Sequence, residues 1–284
     1  MSSTPTPSDP QTNWTTYVQE YQDIQNQWNN DQSTLQASLA KLLTMLKNPG
    51  EALLYAEINV LPNIMATKGD QVGVSGATEN LASGLRSFIT HIQNDFNSIS
   101  SMKPADAAVA AKDMVNMIGQ LHNILADPKY ASLISTGTAS DLDASLKAIY
   151  QTITGSGGAA GIPPSGSTPA VPPKEPTPNP YWPAPGQPFA PQPNDVTNIV
   201  FNIQQIFFPS TPTPGVAPGF DPNITLITNN FTTASADVST FSSTQTSNEQ
   251  YLNNVFNQIQ GVLSDLFQSS STLNNLLVQN EKSN

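Results

Sequence analysis

Two histidines, His91 and His122, are the whole imidazole supply of this chain, and there is no cysteine beside them. That inventory bounds the available chemistry. Without cysteine there is no thiolate nucleophile, no disulfide framework and no cysteine-bound zinc. The two histidines fall on different predicted helices. Neither is read as having a carboxylate at ligand spacing, so packed or solvated imidazoles are expected rather than a catalytic or metal centre. Asp141 and Asp143 stand two residues apart and would point to different faces of a helix, so one of them is expected to serve as an N-cap. Lys68-Gly69-Asp70 through Gly76 reads as a loop without phosphate-binding spacing, and no nucleophile-elbow or dinucleotide pattern occurs. Asn13, Asn223 and Asn230 each open a glycosylation sequon, which is expected to be accidental. The reading assigns no catalytic residue, no metal ligand and no cofactor, and the expectation is a protein that is not an enzyme.

Composition restricts the partners in the same direction. Charged residues make up 11% of the 284 and the net charge is −11, while more than a third of the chain is Ser, Thr, Asn or Gln. Between Glu175 and Glu281 there is no Lys or Arg, and Arg86 is the only arginine. Phosphate backbones are bound by clustered basic groups, so no nucleic-acid partner is expected, nor an anionic membrane surface. No run of 18 apolar residues exists to make a membrane-spanning helix. The first residues, MSSTPTPSDPQTNW, lack the basic and apolar regions of a cleaved secretory signal.

The elements that could position any function are helices with long apolar seams. One heptad register runs from Ile224 to Leu276. Its a positions are Ile224, Phe231, Val238, Gln245, Leu252, Ile259, Leu266 and Leu273, with Ile227, Ala234, Phe241, Val255, Val262 and Leu276 among the d positions. A second seam, Trp14, Tyr21, Trp28, Leu35 and Leu42, runs through a helix expected to begin with Asp9 as N-cap and Pro10 at N1 and to stop at Asn48-Pro49-Gly50. Neither stripe can be buried alone, which makes both candidate assembly seams. Thr, Ser and Asn dominate 225–247 and are mediocre helix formers, so packing must hold that helix together. Between the seams, further helices are expected over Glu51–Ala66 (broken or kinked at Pro62), Ala77–Ser100, Pro104–Asp127, Tyr130–Ile134 and Ser140–Ile153.

A Gly/Pro-rich stretch, 155–195, divides the chain. Thirteen prolines in the 31 residues from Pro163 to Pro193 favour extended polyproline II over helix or strand. A semi-rigid spacer is the expected role. Tyr181, Trp182 and Phe189 are unusual in a plain spacer and predict that its distal half docks on a folded surface. The expected organisation is a disordered 1–10, an N-terminal helical bundle over 11–154, the linker over 155–195 and a C-terminal helical, coiled-coil region over 196–284. The expected fold class is all-α, a helical bundle with long terminal coiled-coil helices.

This layout resembles the bacterial type III secretion substrates, particularly hydrophilic needle-tip and translocator-associated proteins and flagellin-like subunits. The shared features are a Ser/Thr/Pro/Asn-rich start over 1–13, the missing cysteine, and helices at both ends with matching seams (Trp14 to Met45, Ile224 to Leu276). The likeness is architectural, covers about 120 residues and carries over no functional residue; the proline spacer departs from the tip-protein pattern. It implies export without cleavage, self-assembly through the seams, a secretion chaperone as a possible second protein partner, and work outside the producing cell as a tip, appendage subunit or effector. A phage or virion structural subunit, a helical pore-forming toxin component and an intracellular coiled-coil adaptor fit the same residues as alternatives.

Overall fold

The computed structural model describes residues 10–45, 47–155, 179–184, 186–207 and 222–283. The expected disorder of the N-terminus, the Asp9 cap and the first half of the proline stretch lie outside them. The protein is all-α, with no strand among the described residues. Its helices are α1 (Pro10–Met45), α2 (Pro49–Tyr55), a π-helical turn (Ala56–Val60), α3 (Leu61–Ile99), α4 (Pro104–Ala126), α5 (Pro128–Ile134), α6 (Thr136–Ile153), α7 (Asp195–Phe207) and α8 (Pro222–Ser283).

Helix α3 corrects the expected loop at Lys68–Gly76, and of the two outcomes expected at Pro62, a break or a kink, it rules out the break. Proline lacks an N–H and its ring crowds the carbonyl four residues back. Here the preceding turn is π-helical, with the Leu61 N–H donating to the Ala56 carbonyl, and the chain runs on as helix through Pro62. The buried positions Val60, Ile64, Thr67, Gln71, Thr78 and Leu81 recur at helical spacing through the supposed loop. Three of them are polar, so a search for apolar periodicity passes over the stripe. Thr67 and Thr78 satisfy their hydroxyls on the carbonyls of Asn63 and Val74, at 2.8 and 2.9 Å.

The chain forms two compact units whose division falls inside α1, α3 and α8. One unit takes Thr12–Leu81 and Ser242–Asn284. Its apolar cluster joins Leu35 and Leu42 of α1, Ala52, Ala56, Val60 and Ile64 of the next helical run, and Phe256 of α8. Asn63 Nδ2 donates to Ser38 Oγ at 2.7 Å across the same helices, and Gly73 lets Ile24 approach, with a would-be Cβ 3.1 Å from Ile24 Cγ2.

The other unit comprises Met1–Gln11 and Ala82–Phe241. Helix α4 is its most buried element and packs against α5, α6 and α7. Leu85, Phe88, Ile92, Phe96 and Ile99 of α3 are buried in it. So are Ile227, Phe231, Ala234, Val238 and Phe241 of α8, and the rings of Phe96 and Phe231 lie 6.0 Å apart. Asp127 caps α5, accepting from the Lys129 N–H at 2.8 Å. Ser135, at φ 78°, caps α6 by accepting from the Thr138 N–H. The cap expected from Asp141 or Asp143 is therefore supplied six residues or more upstream, and both aspartates sit inside α6.

Candidate functional site

The densest polar and aromatic constellation forms where residues 179–193, the distal half of the proline stretch, lie along α4 and α6. Prolines leave this segment with few backbone donors, so its anchorage depends on side chains. Asn179 donates through its backbone to the Gln151 carbonyl and through Nδ2 to Thr154 Oγ1, both at 3.0 Å. Trp182 Nε1 donates to Asp143 Oδ2 at 3.1 Å, and the Phe189 N–H donates to Asn123 Oδ1 at 2.8 Å. The rings of Tyr181, Trp182 and Phe189 close around Tyr150, with centroids 6.2, 5.7 and 5.2 Å from it. The docking expected from those three aromatics is what the structure contains. Gly119 of α4 gives the Phe189 ring its seat, because a Cβ there would fall 2.7 Å from Phe189 Cδ1.

His122 is the hub of this strap. Its Nδ1 lies 2.6 Å from Asp143 Oδ1, and its Nε2 lies 3.0 Å from the Gln187 carbonyl oxygen. Both partners are acceptors, so both ring nitrogens must carry hydrogen, which is the charged imidazolium. Burial works against that charge, but the bonds to Asp143 and Gln187 and the Asp143 carboxylate outweigh it and raise the His122 pKa. A carboxylate–imidazole pair can orient a general base. Here the outward nitrogen is engaged by a backbone carbonyl and the ring is walled by Trp182 and Phe189, so the geometry fastens the strap.

Beneath it, Tyr150 Oη donates to Asp195 Oδ2 at 2.9 Å, and the Gln192 N–H donates to the same oxygen at 2.7 Å. Burial raises the Asp195 pKa against the lowering effect of these two bonds. Burial, with the Asp195 hydrogen bond and charge, raises that of Tyr150. Asn202 of α7 closes the lower edge, donating to the carbonyls of Ile153 and Gly155 at 2.8 and 2.9 Å.

A second cluster corrects the reading of His91. Its Nε2 lies 2.8 Å from Asp113 Oδ2 and 3.7 Å from Asp95 Oδ2. Asp95 follows His91 by four residues, a spacing that shares one helix face, so part of this cluster was visible in the sequence. Asp113 is brought in by the reversal between α3 and α4. Burial pushes the Asp95 carboxyl up to about 6, with His91 opposing and Asp113 reinforcing the shift. His122 corrects the same reading, with Asp143 21 residues away on the next long helix.

The candidate seam residues fall within each unit. Trp14, Tyr21 and Leu35 are buried and Trp28 is half-buried. On α8, Phe231 and Val238 are buried and Ile224 is half-buried. The side chains of Leu252, Ile259, Leu266 and Leu273 lie outside the described residues. Phe256, which packs with Leu35 and Leu42, stands one residue past the d position Val255.

An exposed apolar face lies elsewhere, where sequence periodicity did not single it out. Leu54, Ile58, Met65 and Val72 are 58, 60, 69 and 63% exposed. Ile58, Met65 and Val72 are seven residues apart, with Gly69 and Gly76 on the same exposed side and nothing within 4 Å of a Cβ built on either. Glycine inside a helix costs about 1 kcal/mol relative to alanine, and the chain's own packing demands neither. No described helix is long and apolar enough to cross a membrane. Compared with known proteins, the chain matches no family model, no curated sequence and no solved structure.

Proposed function

We propose that this chain is a structural or interaction protein that is exported through a bacterial type III secretion system and assembles outside the cell through its helix faces. The observation that carries the interaction reading is the uncharged apolar stripe Leu54, Ile58, Met65 and Val72, bordered by glycines that would let another helix approach closely. Export is supported by the absence of cysteine and by helices rich in Ser, Thr and Asn, which hold together through packing more than propensity and so unfold for passage through a narrow conduit. The strap and its imidazolium lock then re-form from local partners once the chain refolds.

The experiment has two arms. Residues 1–30 fused to a reporter in a type III-competent bacterium should be secreted in a manner that requires the apparatus ATPase. Retention of both the reporter and the full-length protein would defeat export, and electron microscopy of particles would then examine the virion-subunit alternative. In the second arm, sedimentation of the purified chain should reveal a self-assembled species that Met65→Glu together with Val72→Glu returns to monomer. A wild-type chain that stays monomeric at high concentration would remove self-assembly from the reading.

A further inference from the structure

We propose that His91, Asp95 and Asp113 form a binding site for a divalent transition-metal ion of the zinc class. The three donor atoms, one imidazole nitrogen and two carboxylate oxygens, lie within 4.8 Å of one another. A zinc ion with bonds of about 2.0–2.2 Å needs tetrahedral donors spaced about 3.4 Å apart. The His91 Nε2 distances of 2.8 and 3.7 Å to Asp113 and Asp95 bracket that spacing. The remaining pair, the carboxylate oxygens of Asp95 and Asp113, lies within 4.8 Å.

An independent observation points into the same space. Asp95 Oδ2 is buried, yet it has no hydrogen-bond partner. A buried carboxylate oxygen without a donor is costly, and Asp113 adds a second negative group beside it. A divalent cation would satisfy both carboxylates and His91 together, leaving the three-ligand set neutral. The nitrogen donor selects the class: imidazole with carboxylates suits zinc, cobalt and nickel, whereas magnesium and calcium take oxygen donors. His122 is no competitor, because both of its ring nitrogens are engaged by Asp143 and the Gln187 carbonyl. Three protein ligands leave a coordination position for water or for a group from a binding partner.

Calorimetric titration of the full-length chain with zinc chloride tests the site, with cobalt(II) as a spectroscopic probe and magnesium as the hard-ion control. One zinc per chain is expected, with visible cobalt bands that zinc abolishes and magnesium does not. His91→Gln and Asp113→Asn should each weaken zinc binding by more than about tenfold. The Asp113 side chain is 44% exposed, so the second variant should keep the helical content of the wild type by circular dichroism. No zinc uptake by the wild type, uptake unchanged in both variants, or preference for magnesium would each overturn the proposal.

Discussion

The side chain of His122 is 2% exposed, and it is charged because both of its hydrogen-bond partners are acceptors. Its counter-charge, Asp143, has a 30% exposed side chain and also receives the Trp182 indole N–H. Asp143→Asn therefore leaves a buried cation with a neutral partner. Removing one member of a buried pair costs about 3–5 kcal/mol, and the partial exposure of Asp143 places the expected loss near the lower end, at about 3 kcal/mol. Denaturant unfolding of the two proteins checks the magnitude. The mechanism has its own readout: limited proteolysis should cut the wild type poorly between Tyr181 and Phe189, and the variant readily at the same bonds. Equal protection of both proteins would mean that the aromatic rings hold the strap without the ion pair.

At the scale of elements, two kinds of helical glycine make opposite predictions. Gly119→Ala gains about 1 kcal/mol of helix propensity. Its Cβ would meet Phe189 Cδ1 at 2.7 Å, and that ring is held by Tyr150, Tyr181 and Trp182 and cannot simply swing aside. Overpacking costs about 1–3 kcal/mol and should win, for a net loss of about 1 kcal/mol. Gly69→Ala and Gly76→Ala meet nothing within 4 Å, so each should stabilise the isolated chain by about 0.5–1 kcal/mol. Thermal unfolding of the three single variants reads the sign directly. If the glycines of α3 serve close helix approach, the same two substitutions should weaken the assembled species while strengthening the monomer.

For the whole molecule, the net charge of −11 grows more negative as pH rises and its self-repulsion weakens the compact state, and the buried groups act in the same direction. The raised pKa of His122 stabilises the fold fully below the unfolded value of about 6.5, and that contribution disappears as pH rises through the folded value. Asp195 is also raised, so its protonated form favours the folded state, and this contribution too declines as pH climbs above about 3.9. Both slopes have the same sign. The denaturation midpoint should fall between pH 6 and pH 8, and His122→Gln should flatten that fall. A wild-type midpoint that rises over this interval would contradict the charged assignment of His122.

How much of this was legible in the sequence depends on which residues carried the pattern. The all-α class, the start of α1 at Pro10, the span of α4 and the docking of Tyr181, Trp182 and Phe189 followed from proline positions, helical apolar spacing and large rings where a spacer needs none. The ends of α3 were read as helix, but its middle, Lys68–Gly76, was hidden because Thr67, Gln71 and Thr78 occupy buried slots beside three glycines, and local propensity there favours a loop. Only neighbouring helices supply the burial that overrides it. The His122–Asp143 and His91–Asp113 pairs join residues 21 and 22 positions apart, separations that acquire meaning once the chain reverses between helices. Residue order determined which stretches could be helix and which rings needed cover. Tertiary packing decided which carboxylate met which imidazole, because a hydrogen bond depends on distance in space and the sequence records only distance along the chain.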